Sequence, residues 1–282
     1  MEKLQSLSAM YLQSIEMYQT SVHDGVEHGS PFMVDLRRVR RGMSPYELGS
    51  GLLSNALDAA HTLSTLWSAE ALHSPTDFGL MRLVIDNALR AIWLTAPQDS
   101  DLRLQRAWRV ACDSPFRAKR GAEAALRRDL SELDRGMYER TARQCKARLT
   151  EIDAIFTDAE VVIAKKHRAV EMAEIFTDSH ISWWLDSLHV RRLWTLLSSM
   201  VHGELDQVSA FSITAVDPSD ERVRLHNPDP DMLSSTGATV NLILVSAVYG
   251  FRHKMSEEPD RARFNVYSSE GMRGFGMPNG GA

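Results

Sequence analysis

Ser44-Pro45-Tyr46-Glu47, followed by apolar residues at Leu48, Leu52, Ala56, Ala59, Leu63 and Leu66, decides the fold class of this chain. A serine at the N-cap, proline at the first helical position and glutamate at the third form a capping box, which satisfies backbone N–H groups that a helix start otherwise leaves unpaired. The apolar steps of three and four behind it lie on one helical face, which has to be buried against other helices. Toward the N-terminus, Leu4, Leu7, Tyr11, Ile15, Tyr18 and Val22 repeat that spacing until Gly25, Gly29 and Pro31 stop it. The stretch between the two helices, with Arg37-Arg38-Val39-Arg40-Arg41, reads as a glycine-bounded basic loop.

Toward the C-terminus, Ser74-Pro75-Thr76-Asp77 repeats the start signal with aspartate in the glutamate position and opens a helix that ends before Pro97. Ser114-Pro115 reads as a further start. Residues 116–176 are rich in Ala, Arg, Glu and Leu and predict a helical hairpin or triplet, with a break near Asp134-Arg135-Gly136 and a turn near Thr157-Asp158. Ile181 to Val201, with Trp183, Trp184 and Trp194, reads as the buried central helix. The helical pattern fails between Gly203 and Asp231, where Pro218, Pro228 and Pro230 exclude long helices and only Phe211 to Val216 suggests an extended segment. A last helix runs from about Met232 to Lys254. The expectation is an all-α bundle of about seven to nine helices with one long irregular loop. It forms one domain over residues 1–255, followed by a flexible Gly-rich tail over 256–282.

The 282 residues are 44% hydrophobic and 24% charged, ordinary for a globular core. The longest apolar runs, Val240 to Val248 and Leu188 to Val201, are interrupted by Asn241, Arg191 and Arg192, so no membrane crossing is expected. Met1-Glu2-Lys3-Leu4-Gln5 lacks the basic segment and apolar run of a secretory signal, which points to a cytoplasmic protein. Cys112 and Cys145 have no partner at metal-ligand spacing and read as reduced thiols. The formal charge of −5 argues against a general nucleic-acid coat, but charge is uneven: residues 103–148 hold thirteen Lys or Arg against six Asp or Glu. Residues 204–235 hold seven acidic residues against Arg222 and Arg224.

The chain contains no phosphate-binding Gly-Lys-Ser/Thr loop, dinucleotide glycine fingerprint, His-Glu-x-x-His, Gly-x-Ser-x-Gly elbow or Cys-x-x-Cys pair, so neither cofactor nor metal is expected. Three groups of residues remain as candidates. Ser198 and His202 stand four apart, one turn from each other, so the hydroxyl can orient an imidazole that exchanges protons near neutral pH. The same histidine, followed by Gly203, equally suits the end of a helix, where exposed carbonyls favour it. Asp86, Asn87 and Arg90 lie in a helix that is apolar almost all round; Asp86 and Arg90 can form a structural ion pair, or Arg90 can face a phosphate or carboxylate beside His202. Arg37, Arg38, Arg40 and Arg41 suit phosphate contacts if they are more than a solvated loop.

The order Asp86-Asn87-Ala88-Leu89-Arg90-Ala91-Ile92-Trp93-Leu94 before Pro97, an Arg-rich middle, then Leu197-Ser198-Ser199-Met200-Val201-His202-Gly203, resembles a loose group of bacterial, actinobacterial-type helical proteins. That group looks like distant relatives of the HEPN superfamily and of DUF5677-like abortive-infection proteins. The resemblance covers roughly residues 50–255. It implies a helical bundle, often a homodimer, and in active members a metal-independent RNase whose arginine and histidine, four to six residues apart, meet at the dimer interface. Here Leu197, Leu196 and Thr195 occupy the arginine positions, and Arg192 lies nine intervening residues before His202. Two functions follow as expectations. The favoured one is a non-catalytic partner-binding or regulatory protein of a phage-defence or toxin–antitoxin system, with a protein partner or second copy, and RNA as a further candidate. The alternative is an RNase toxin using His202, Ser198 and Arg90 or Arg192.

Overall fold

In the computed structural model of the chain, the Ser44 hydroxyl accepts a hydrogen bond from the Glu47 backbone N–H (3.2 Å), and the Glu47 carboxylate accepts one from the Ser44 N–H (3.1 Å). The predicted capping box therefore opens helix α3 (Pro45–Ser68). The structure describes residues 2–39, 42–163, 168–179, 187–202, 212–217 and 220–256, with backbone alone at 74, 75, 187, 212–217 and 220–228. Among these residues α1 (Glu2–Asp24) and α2 (Pro31–Arg38) precede α3. After it come α4 (Ser74–Thr95), α5 (Ser100–Ala125), α6 (Glu132–Asp158), α7 (Met172–Thr177), α8 (Ser187–Val201) and α9 (Pro230–Met255). The fold is an all-α bundle, with nine helices among the described residues.

Helix α4 lies at the centre, packed on α3, α8 and α9. Its Phe78, Met81, Val84, Ile85, Leu89 and Trp93 are buried almost completely, and each such side chain stabilises the fold by roughly 1.5–3 kcal/mol. Helix α9 crosses α1 and α3 closely at Gly237. A Cβ there would lie 2.6 Å from Leu7 Cδ2 and 2.8 Å from Trp67 Cη2, so any larger residue would force those buried side chains to shift. The buried Tyr11 hydroxyl takes advantage of that close approach and donates to the Gly237 carbonyl at 2.9 Å. By length and composition α9 is apolar enough to cross a membrane, unlike the expectation from its interrupted run; in this fold 56% of its most apolar 18-residue stretch is buried inside the bundle. A second apolar cluster, built on Leu104, Trp108, Leu149, Ile152 and Phe156, holds α5 against α6.

Several boundaries differ from those expected. Residues 31–38 are a helix, because Ser30 caps it by accepting from the Met33 N–H and Pro31 occupies its first position. The Arg37 and Arg38 side chains therefore sit on the last turn of α2 rather than in a loop, while Arg40 and Arg41 lie outside the described residues. Pro115 does not open a helix but sits inside α5, which continues through it despite losing one backbone hydrogen bond. The break falls at 126–131 instead of 134–136: the Ser131 hydroxyl accepts from the Asp134 N–H, so Asp134 belongs to the first turn of α6, where a negative charge is favoured. At the start of α4 the N-cap is His73, whose N–H donates to Asp77 (3.1 Å).

Between α8 and α9, where one irregular loop was expected, β1 (Ser212–Asp217) and β2 (Asp220–Pro228) form an antiparallel hairpin. Its register runs from Ser212 opposite Pro228 to Val216 opposite Arg224 and shifts between Val216 and Asp217. The described part of the Ile181–Val201 segment is not the buried centre either. Helix α8 buries Val190, Leu197 and Met200 but leaves Leu188 and Val201 about half exposed, at 52% and 48%. Trp183, Trp184, Gly203 and residues 257–282 lie outside the described residues.

Candidate functional site: an arginine-lined cleft

Helices α4 and α8 run antiparallel. The Trp194 Nε1–H donates to Asp86 Oδ1 at 2.6 Å, and toward the other end the Val201 side chain comes within 3.9 Å of a Cβ built on Gly79. These two contacts set one register, in which His202 stands opposite position 78 of α4. Twelve residues separate that position from Arg90, which at 1.5 Å per residue is ~18 Å along the helix. Arg90 and His202 are thus not brought together. His202 is exposed, Ser198 is half-buried, and the hydrogen bond that links them runs from the His202 backbone N–H to the Ser198 carbonyl (3.0 Å). Among the described residues no side-chain hydrogen bond joins the Ser198 hydroxyl to the imidazole. Arg192 is exposed on α8.

Asp86 and Arg90 do not pair with each other. Asp86 accepts from Arg82 Nε at 3.0 Å as well as from Trp194, because arginine also stands four residues before it. Arg90 reaches across to α5, its Nη1 donating to Asp113 Oδ2 at 2.9 Å. Asn87 donates to the Leu83 carbonyl one turn back (2.8 Å), an arrangement within its own helix. Arg37 contacts His28 (2.9 Å), and Arg38 pairs with Asp101 at the start of α5 (2.6 Å).

Arg82, Asp86 and Arg90 line one wall of a cleft of about 550 Å³, and Arg191, Trp194 and Thr195 of α8 line another. Arg117 of α5 and the segment from Val170 to Phe176 complete it. The Arg82 guanidinium lies 4.0 Å above the Trp194 ring, and Phe176 meets that ring edge-on at 5.7 Å between centroids. Such cation–π contact fixes both side chains in the wall. Behind the cleft, Asp113 accepts from Arg90, from Arg117 Nε (2.8 Å) and from the Val170 N–H (3.0 Å). Burial by itself would push the Asp113 carboxyl up, but the hydrogen bonds from Arg90, Val170 and Arg117 hold it below the ordinary carboxylate range.

Among the described residues, four guanidinium groups, of Arg82, Arg90, Arg117 and Arg191, stand with two lining carboxylates, of Asp86 and Glu171, and with Asp113 behind them, leaving one net positive charge. Their donors are unevenly used. Arg117 is bound to Asp113, Glu171 and the Val170 carbonyl; Arg82 and Arg90 each make one hydrogen bond to a carboxylate; and Arg191, exposed, has no protein partner among the described residues. The arrangement can hold an anion, since guanidinium N–H groups left to water are available to a carboxylate or phosphate.

Sequence reasoning found Asp86 and Arg90 but not Arg82, Arg117, Arg191 or Asp113. The signal for Arg82 was present in its spacing of four from Asp86, as much as the spacing of Arg90 was. Asp113 was hidden by the reading of Ser114-Pro115 as a helix start, which makes it a boundary residue rather than a buried one. The basic run 103–148 also divides: Arg103, Arg106 and Arg109 turn inward to Asp35, Asp178 and Glu174, half-exposed Arg117 pairs with Asp113, and Lys119, Arg143 and Arg148 pair with Glu123, Glu139 and Glu151. Cys112 is buried, its thiol pushed up to about 12 by that burial, and Cys145 is free. Among the described residues no three His, Cys, Asp or Glu side chains gather as metal ligands. No family model, curated protein or solved structure matches this chain.

Proposed function

We propose that this chain is a non-catalytic, cytoplasmic partner-binding or regulatory protein that recognises its partner at the cleft between α4 and α8. The observation that carries this reading is the separation of the candidate residues. The arginine able to stabilise a transferring phosphate lines the cleft, whereas the histidine able to move a proton stands exposed some twelve residues away in register. Acid–base catalysis needs its proton donor within hydrogen-bond reach of the reacting group. A cleft with two partly committed arginines, Arg82 and Arg90, the uncommitted Arg191 and an aromatic wall is instead organised for recognition. The HEPN-like resemblance of the sequence supports a setting in a phage-defence or toxin–antitoxin system.

Purified wild type and His202→Ala, incubated with total bacterial RNA without added metal, test the reading. Both proteins should leave the RNA intact, and the variant should keep the wild-type melting temperature because His202 is exposed. RNA cleavage by wild type that His202→Ala abolishes would overturn the proposal and install the RNase function.

A further inference from the structure

The charge balance and wall chemistry of the cleft narrow what it can take. Among the described residues one net positive charge remains, which matches one monoanion. A phosphate monoester, carrying about −1.5 to −2 near neutral pH, would be left undercompensated with Asp86 and Glu171 in the same lining. The unused donors are those of a planar fork: Arg82 engages its carboxylate through Nε alone, which leaves both terminal nitrogens, and Arg191 keeps its whole guanidinium. That geometry pairs with a carboxylate through two parallel N–H···O bonds. Beside the charged groups and Thr195, the lining carries an apolar part made by Val170, Met172, Phe176 and the Trp194 ring. At about 550 Å³ the space falls in the range of small-molecule pockets and exceeds what a bare carboxylate fills.

We infer that the cleft binds a carboxylate carried on an apolar body, with Arg191 and Arg82 on the carboxylate and Phe176 and Trp194 against the apolar part. The inference rests on the recognition reading of the same cleft and names its ligand chemistry. Two sources present that chemistry, a free amphipathic carboxylic acid and the C-terminal carboxylate of a peptide ending in an apolar residue. Arg90 and Arg117 serve as positioning residues, since both are held by Asp113 at the back of the site.

Isothermal titration of the full chain tests this with 3-phenylpropionate, its amide 3-phenylpropanamide, inorganic phosphate, and a short N-acetylated peptide ending in phenylalanine with a free or amidated C-terminus. The acid or the free-carboxylate peptide should bind, the matching amide should not, and phosphate should bind more weakly than either. Binding of the peptide without the acid keeps the inference and assigns the carboxylate to a protein partner; the reverse assigns it to a small molecule. Arg191→Gln should weaken binding about tenfold or more, the loss of one charge-assisted contact, with an unchanged far-UV spectrum. Arg191→Lys should restore part of the affinity, as a charge without the fork does. Equal binding of acid and amide, tighter binding of phosphate, an Arg191→Gln variant with wild-type affinity, or no binding of any carboxylate probe would each overturn the inference. The RNA assay scores the recognition reading separately, because RNA can stay intact whether or not these probes bind.

Discussion

Two arginine clusters stand at different points along α5, one at its first turn around Arg103 and one about three to four turns further on around Asp113 and Arg117, and they are built differently. At Arg103 the guanidinium is fully enclosed: Nε and Nη2 grip Asp35 at 2.7 and 2.9 Å, Nη1 donates to the Pro97 and Gln98 carbonyls, and Nη2 also reaches the Pro31 carbonyl. Ser100 adds a hydrogen bond to Asp35 (2.6 Å), and Lys254 of α9, buried and pushed down to about 8 by that burial, donates to the Pro97 carbonyl and Gln98. In the cleft, by contrast, Arg90 is about a quarter exposed and Arg191 more so. Burial forces the first cluster to satisfy every donor, because an unpaired buried charge costs several kcal/mol. The second is open to water, so its donors can stay uncommitted. Saturation marks the arginines that hold α2, α5 and α9 together; unused donors mark the ones free to bind.

Breaking the saturated cluster gives the largest effect. Asp35→Ala leaves Arg103 charged and enclosed, with side-chain exposure of only 2%, and should cost about 3–5 kcal/mol, read by urea unfolding at neutral pH. A loss below about 1 kcal/mol would mean that water reaches Arg103 and that the two clusters are alike. Asp113→Asn, at the back of the cleft, should cost less, about 1–3 kcal/mol, since it weakens charge-assisted hydrogen bonds from Arg90 and Arg117 without stranding a fully buried charge. The pH dependence has a definite sign. The native Asp113 carboxyl lies below its unfolded value, so its stabilisation is complete above that unfolded value and is lost as pH falls through the native one. Wild type and Asp113→Asn should therefore differ at pH 7 and converge as pH drops below about 4.

The helices were legible because their signals are local. Ser44 to Glu47 and the spacing from Leu4 to Val22 each determine one element within a few residues, and α3 and α1 follow. The same logic could have found α2, since Ser30-Pro31 is the same start; Gly29 and the arginines drew the reading toward a loop. The hairpin between α8 and α9 was harder, because the pairing of Ser212 with Pro228 is set by a turn and a register rather than by helical periodicity. The cleft was half visible. Asp86 and Arg90 stood out as charges in an apolar helix, but their partners, Asp113 and Trp194, are 23 and 108 residues away along the chain, and no spacing rule reaches that far. The pairing of Ser198 with His202 failed for the opposite reason: being four apart permits a contact, while exposure at the end of α8 provides nothing to enforce it.

The smallest expected effect is the most discriminating. Arg191→Gln should change unfolding free energy by no more than about 0.5 kcal/mol, because the side chain is exposed and has no hydrogen bond or ion pair to lose among the described residues. Any gain comes from relief of repulsion, since the change removes one of four neighbouring guanidinium groups that the three carboxylates among the described residues do not fully cancel. A loss of about 2 kcal/mol or more would show Arg191 engaged as Arg103 is, and the distinction between holding and binding arginines would fail at the residue on which it depends most. A near-zero change in stability separates Arg191 from Arg103 by the same measurement that puts Arg103 at the other extreme, so the two variants together test whether donor saturation predicts an arginine's role.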